Sequence, residues 1–150
     1  MNKGMTLVEA TISVALSGIL TLTVVVALNA GAGFTSKATT LTQMRRDVRY
    51  ALRHIEKQVR PCKSSETTAS GDTLTLTPGG ASKSYQKTGS TLTYTDGGTT
   101  VTLIGSGVSS LSFSKDPGGN PNAYVVTVNL TLAQGAQQVP MFTKIGLRNK

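Results

Sequence analysis

Few residues in this chain are equipped for chemistry, and they lie far apart in sequence. There is one histidine, His54, one cysteine, Cys62, and seven carboxylates, Glu9, Asp47, Glu56, Glu66, Asp72, Asp96 and Asp116. One thiol excludes an intrachain disulfide, and one thiol with one imidazole falls short of the four ligands of a structural zinc site. Serine and threonine are plentiful, but no spacing supplies a hydroxyl with a base and a group to orient that base. The expectation is a non-enzyme with no cofactor and no metal. The run Asp116-Pro117-Gly118-Gly119-Asn120-Pro121-Asn122 has oxygens that would suit calcium, yet two prolines and one acid make a plain loop the expectation. Cys62 is expected to be an unpaired thiol near a helix end. His54 is expected on the surface of that helix, as neither switch nor ligand. What remains is Glu9, an acid at the head of a stretch apolar enough for a bilayer.

That stretch runs uncharged from Ala10 to Ser36, 27 residues. A helix rising about 1.5 Å per residue would carry it across a hydrocarbon layer of about 30 Å. Ala15, Gly18 and Ala27 would let neighbouring helices approach closely, while Gly18 costs a helix interior about 1 kcal/mol against alanine. Lys3 and Lys37 flank the span and set no orientation between them. A secretory signal peptide would use Lys3 as its charged start and Ala30-Gly31-Ala32 as its cleavage site, but the apolar part overruns the usual length of about 7–15 residues and includes Glu9. A plain single-pass anchor would hold Glu9 near the membrane edge, where an acid costs less than the roughly 2.5–3.5 kcal/mol of the span centre. A carboxylate in apolar surroundings is stable when paired.

Lys3-Gly4-Met5-Thr6-Leu7-Val8-Glu9, followed at once by the apolar run, resembles the prepilin signature of type IV pilins and of the pseudopilins of type II secretion. The resemblance implies cleavage by a prepilin peptidase between Gly4 and Met5, and N-methylation of Met5, which stands where the family most often has phenylalanine. It also implies that Glu9, fifth in the mature chain, guides assembly by meeting the N-terminus of a subunit already in the filament. The partners it implies are the peptidase, other pilins or pseudopilins, and an inner-membrane assembly platform.

Beyond Lys37 the pattern changes. Leu41, Met44, Val48, Ala51 or Leu52, Ile55 and Val59 recur at steps of three and four, so one helix is predicted from about Thr6 to Val59, ending before Pro61. Its other face is basic: Arg45, Arg46, Arg49, Arg53, Lys57, Arg60 and Lys63 stand against Asp47 and Glu56. Such a face is either solvated, with Glu56 pairing Arg60 and Arg53, or a contact face for an anionic neighbour or nucleic acid. The whole chain is skewed the same way, with 15 Lys+Arg, 7 Asp+Glu and a pI near 9.9, which fits an anionic partner without choosing one. Tyr50 is the one aromatic among these cations, so stacking on single-stranded bases is unsupported.

The remainder reads as strands and turns. Residues 63–71 are expected as a loop, followed by strands at 72–77, 83–86, 91–95, 99–104, 108–115, 124–133 and 139–147, with Asp96-Gly97-Gly98 closing a hairpin. The sequon Asn129-Leu130-Thr131 falls inside a strand and is discounted. Stretches at 53–60, 107–113, 125–132 and 146–149 are similar to minor pilins and to the J-type minor pseudopilin. The expected architecture is therefore α+β and pilin-like, a long helix on an antiparallel sheet. Its parts are a leader at 1–4, a membrane or filament-core helix at 5–36, an amphipathic half at 37–60 and a β domain at 61–150. The implied function is that of a structural subunit of a type IV pilus or type II secretion pseudopilus. It would sit in the cell membrane with its β domain outside before joining the filament. The alternative is a membrane-tethered binding module or DNA-uptake pilin that uses the basic helix.

Overall fold

The computed structural model describes residues 6–120 and 123–148, with side chains left undescribed at 117–123. Gly4 and Met5 lie outside the described residues. One helix, α1, spans Leu7–Val59 and eight strands follow: β1 Thr67–Ser70, β2 Thr73–Leu76, β3 Lys83–Thr88, β4 Thr91–Asp96, β5 Thr99–Ile104, β6 Val108–Asn120, β7 Ala123–Gln134 and β8 Gln137–Gly146. The chain divides into two compact units, one ending at Thr40 and one beginning at Leu41, and α1 contributes to both.

In the first unit α1 is exposed along its apolar length, with Leu7 82%, Val14 73% and Leu20 68% accessible. This helix is long and apolar enough to cross a membrane. Its hydroxyls are satisfied internally: Ser13 donates to the Glu9 carbonyl, Ser17 to Ser13 and Thr21 to Ser17, each at 2.8 Å. Bonds of this kind let serine and threonine sit in apolar surroundings without an orphaned donor.

In the second unit α1 buries the predicted stripe, Met44, Val48, Ala51, Ile55 and Val59, against antiparallel sheets. The class is α+β. Two sheets are present where the sequence suggested one: five strands in the order β1-β2-β3-β4-β5, and three in the order β6-β7-β8. Alternation explains their inner faces, since Val126, Val128, Leu130 and Leu132 of β7 are all buried. The two-residue turn between β4 and β5 has positive φ at both Gly97 (55°) and Gly98 (90°), the conformation that a tight hairpin demands and that glycine allows.

Two expectations are corrected. Residues 63–71 are not simply a loop. A 3₁₀ turn at Ser64–Glu66 leads into β1, in which Thr67 is buried and pairs with Leu76, because β-branched threonine suits a strand as well as a loop. The expected loop at 116–122 is also shortened: β6 continues to Asn120, with Pro117 opposite Tyr124 and a register shift before the Asn120–Ala123 pair. Proline is tolerated there because β6 is an edge strand of its sheet. The two sheets meet where the Phe113 N–H donates to the Gly71 carbonyl at 2.7 Å and Lys63 bridges Arg148. There the Lys115 ammonium donates to the Ser64 and Thr67 carbonyls at 2.7 and 2.9 Å and lies 5.1 Å from the Tyr124 ring centre.

Candidate functional site

Glu9 occupies the third position of α1, and its placement begins with Thr6. The Thr6 hydroxyl accepts the Glu9 backbone N–H at 3.3 Å, and the Thr6 carbonyl accepts from Ala10 at 3.1 Å. Thr6 is thus the N-cap, and Thr6-Leu7-Val8-Glu9 has the spacing of a capping box. The spacing of Thr6 and Glu9 carries this local role in the sequence itself. Glu9 is exposed. The ion pairs among the described residues are Arg46 with Asp47, Arg60 with Glu56 and Lys83 with Asp96, so none involves Glu9.

The basic residues named from sequence come together on one side of α1 within the second unit. Arg45, Arg46, Arg49, Arg53, Lys57 and Arg60 are all exposed. Arg45, Arg49, Arg53 and Lys57 form a row at steps of four, about 6 Å apart along the axis. Arg46 and Arg60 flank that row. The face is only lightly neutralised. Of the two partners expected for Glu56, Arg60 pairs with it and Arg53 does not, Arg46 touches Asp47 at 3.9 Å, and the Arg49 Nε donates to the Arg45 carbonyl. A shallow depression of about 440 Å³ lies among Thr42, Arg46, Arg49, Tyr50 and Arg53, and the Tyr50 ring is 60% exposed beside it.

His54 does not sit on the surface as expected; it is half-buried in a polar and aromatic cluster. Its Nδ1 lies 3.0 Å from the Tyr85 hydroxyl, and that hydroxyl is 3.5 Å from the His54 carbonyl. The imidazole packs edge-on to Tyr94 at 4.8 Å between centroids, and Tyr94 lies 4.8 Å from Tyr85. Tyr94 donates to Asp96 at 2.9 Å, while Lys83 pairs with Asp96 and donates to Gln58, both at 3.2 Å. The β3–β4 register creates this arrangement by setting Tyr85 opposite Tyr94. Burial, with Lys57 and Lys83 nearby, holds His54 below its ordinary value. Burial drives the Tyr85 hydroxyl far upward, so it stays a neutral donor. Hydrogen bonds from Tyr94 and Lys83 hold Asp96 below the usual carboxylate range. The cluster ties α1 to β3 and β4.

Cys62 is a free, buried thiol whose Sγ donates to the Gln58 carbonyl at 3.1 Å. Burial, followed by Glu66, raises its pKa and keeps it protonated. Among the described residues no three His, Cys, Asp or Glu side chains converge on a point where a metal would fit. No family model, curated protein or solved structure matches the chain.

Proposed function

We propose that this chain is a prepilin-like structural subunit, a minor pilin or pseudopilin, cut after Gly4, N-methylated at Met5 and assembled through its N-terminal helix. The observation that carries this reading is the fully exposed apolar length of α1, headed by one acid, on a chain whose residues from Leu41 onward form their own core. Such a surface needs a host. A bilayer serves before assembly, with the leader on the cytoplasmic side and the β domain outside, and a bundle of sister helices serves afterwards. Glu9 gives the second host its selectivity, since a carboxylate that is costly in hydrocarbon is relieved by the amine at Met5 of a neighbour.

The test is intact mass and N-terminal sequencing of the protein from its native membrane, together with incorporation of Glu9→Ala into filaments. A mature chain starting at methylated Met5, and a variant that is processed but poorly incorporated, are expected. A start at Met1 or Gly33, or normal incorporation of Glu9→Ala, would overturn the assignment. A second reading, a tethered binding module or DNA-uptake subunit, draws its support from the exposed arginines of α1, and the DNA arm of the next experiment addresses it.

A further inference from the structure

We propose that the outward row Arg45, Arg49, Arg53 and Lys57 docks an acidic α-helix of a non-identical protein, one carrying carboxylates at every fourth position. The row lies away from the stripe that α1 buries, and all four side chains are exposed. Its cations repeat at about 6 Å, the step at which acids four apart repeat along a second helix. Three of the four are arginines, whose planar guanidinium holds a carboxylate through two parallel hydrogen bonds where a lysine offers a point charge.

Among the described residues no ion pair engages this row, although the Arg49 Nε donates to the Arg45 carbonyl. Glu56 is taken by the flanking Arg60, and Asp47 touches Arg46. A second copy would not satisfy it either, because its remaining acids are few and mostly engaged. Glu66 accepts from the Lys63 backbone, Asp96 is held by Lys83 and Tyr94, and Asp116 accepts from Ser114. With 15 basic residues against 7 acidic, two copies facing each other through this row repel. The complementary charge has to come from a different molecule.

A helix suits the surface better than a nucleic acid. The row is a single line spanning about 18 Å, three steps of four residues, and beside it Tyr50 is exposed while His54 is half-buried, whereas single-stranded nucleic acid is gripped by successive exposed stacking platforms. The depression by Tyr50, among Arg46, Arg49 and Arg53, would seat an apolar side chain of the partner between its acids.

The experiment uses the full chain in phosphatidylcholine nanodiscs, whose lipid carries no net charge, and three fluorescent probes. One is an alanine-based helical peptide of about 20 residues with glutamate at every fourth position and a leucine between. The second has the same composition with its glutamates contiguous, and the third is a DNA duplex of equal length. The spaced peptide should bind about tenfold more tightly than the contiguous one. Arg49→Glu/Arg53→Glu should abolish that preference, with Arg49→Gln/Arg53→Gln read in its place if the charge reversal does not fold. Lys87→Glu/Lys144→Glu, which changes net charge equally on β3 and β8, should keep it. Equal binding of the two peptides, equal loss in the Lys87/Lys144 variant, or tighter binding of the duplex than of the spaced peptide would overturn the proposal.

Discussion

Lowering the pH should loosen the second unit through one side chain, His54, and the chain is suited to the measurement because it has one histidine. In the folded protein Nδ1 faces the Tyr85 hydroxyl, with Lys57 of α1 and Lys83 of β3 close enough to oppose a positive imidazole. Protonation would force Nδ1 to donate, turning the Tyr85 proton toward the longer 3.5 Å contact with the His54 carbonyl. The folded pKa therefore lies below the ordinary 6.5, and below that pH the unfolded chain takes up a proton that the folded chain resists. Stability is fully present above about 6.5 and is lost as pH falls beneath it, until the folded imidazole protonates as well. An unfolded imidazole titrating at 6.5 is about nine-tenths protonated at pH 5.5, which limits the loss between about pH 7.5 and 5.5 to roughly 1.4 kcal/mol. For a unit of this size that ceiling corresponds to about 5 °C in Tm, and screening of the partly exposed imidazole brings the expected fall below it. Thermal melts of a fragment beginning at Lys37, read by circular dichroism, measure it directly. His54→Gln should start about 0.5–1.5 kcal/mol less stable because the Tyr85 hydrogen bond is altered, and its Tm should be flat over the same window. If His54→Gln shows the same decline as the parent chain, another group is responsible and the account of the cluster is wrong.

Two further substitutions probe the packing that holds α1 and the sheets together. Ile55→Ala removes a fully buried side chain from the centre of the helix stripe and should cost about 2–5 kcal/mol by urea denaturation. Lys115→Met strips the donor from the Ser64 and Thr67 carbonyls where the two sheets meet; a loss of about 1–3 kcal/mol is expected, with faster amide exchange along β1 by hydrogen-exchange mass spectrometry.

Much of this architecture was legible from periodicity alone. The helix stripe from Leu41 to Val59 and the alternation in β7 follow from side-chain geometry within a single element, and the same holds for the Gly97-Gly98 hairpin. Features that depend on which elements meet were hidden. Alternation reports that 108–115 and 99–104 are strands, but not that they belong to different sheets. β1 was missed because Thr67-Thr68-Ala69-Ser70 has no apolar alternation, and its pairing with β2 decides the matter. Of the candidate residues, the basic face could be written down from helical steps. The surroundings of His54 could not, since Tyr85 lies 31 residues away and reaches it through strand register together with the phase of α1.

At Glu9 the observed capping role and the proposed assembly role would rest on one position. As the third residue of a capped helix it lies at the positive end of the helix dipole, a placement worth about 0.3–1 kcal/mol in water. At the membrane edge an acid costs less than the roughly 2.5–3.5 kcal/mol of a span centre, whereas in a core of packed helices the cap supplies no counter-charge. The cap accounts for where the helix begins and leaves the acid unprovided for once the helix is enclosed in apolar surroundings. Cleavage before Met5 would add a full positive charge four residues before Glu9 in sequence, of the same sign as the field that the backbone N–H groups of the first turn create. The capping spacing and the proposed pairing thus act in the same direction. The capped turn holds Glu9 at the helix end, where, under the proposed assembly, a neighbouring amine would meet it.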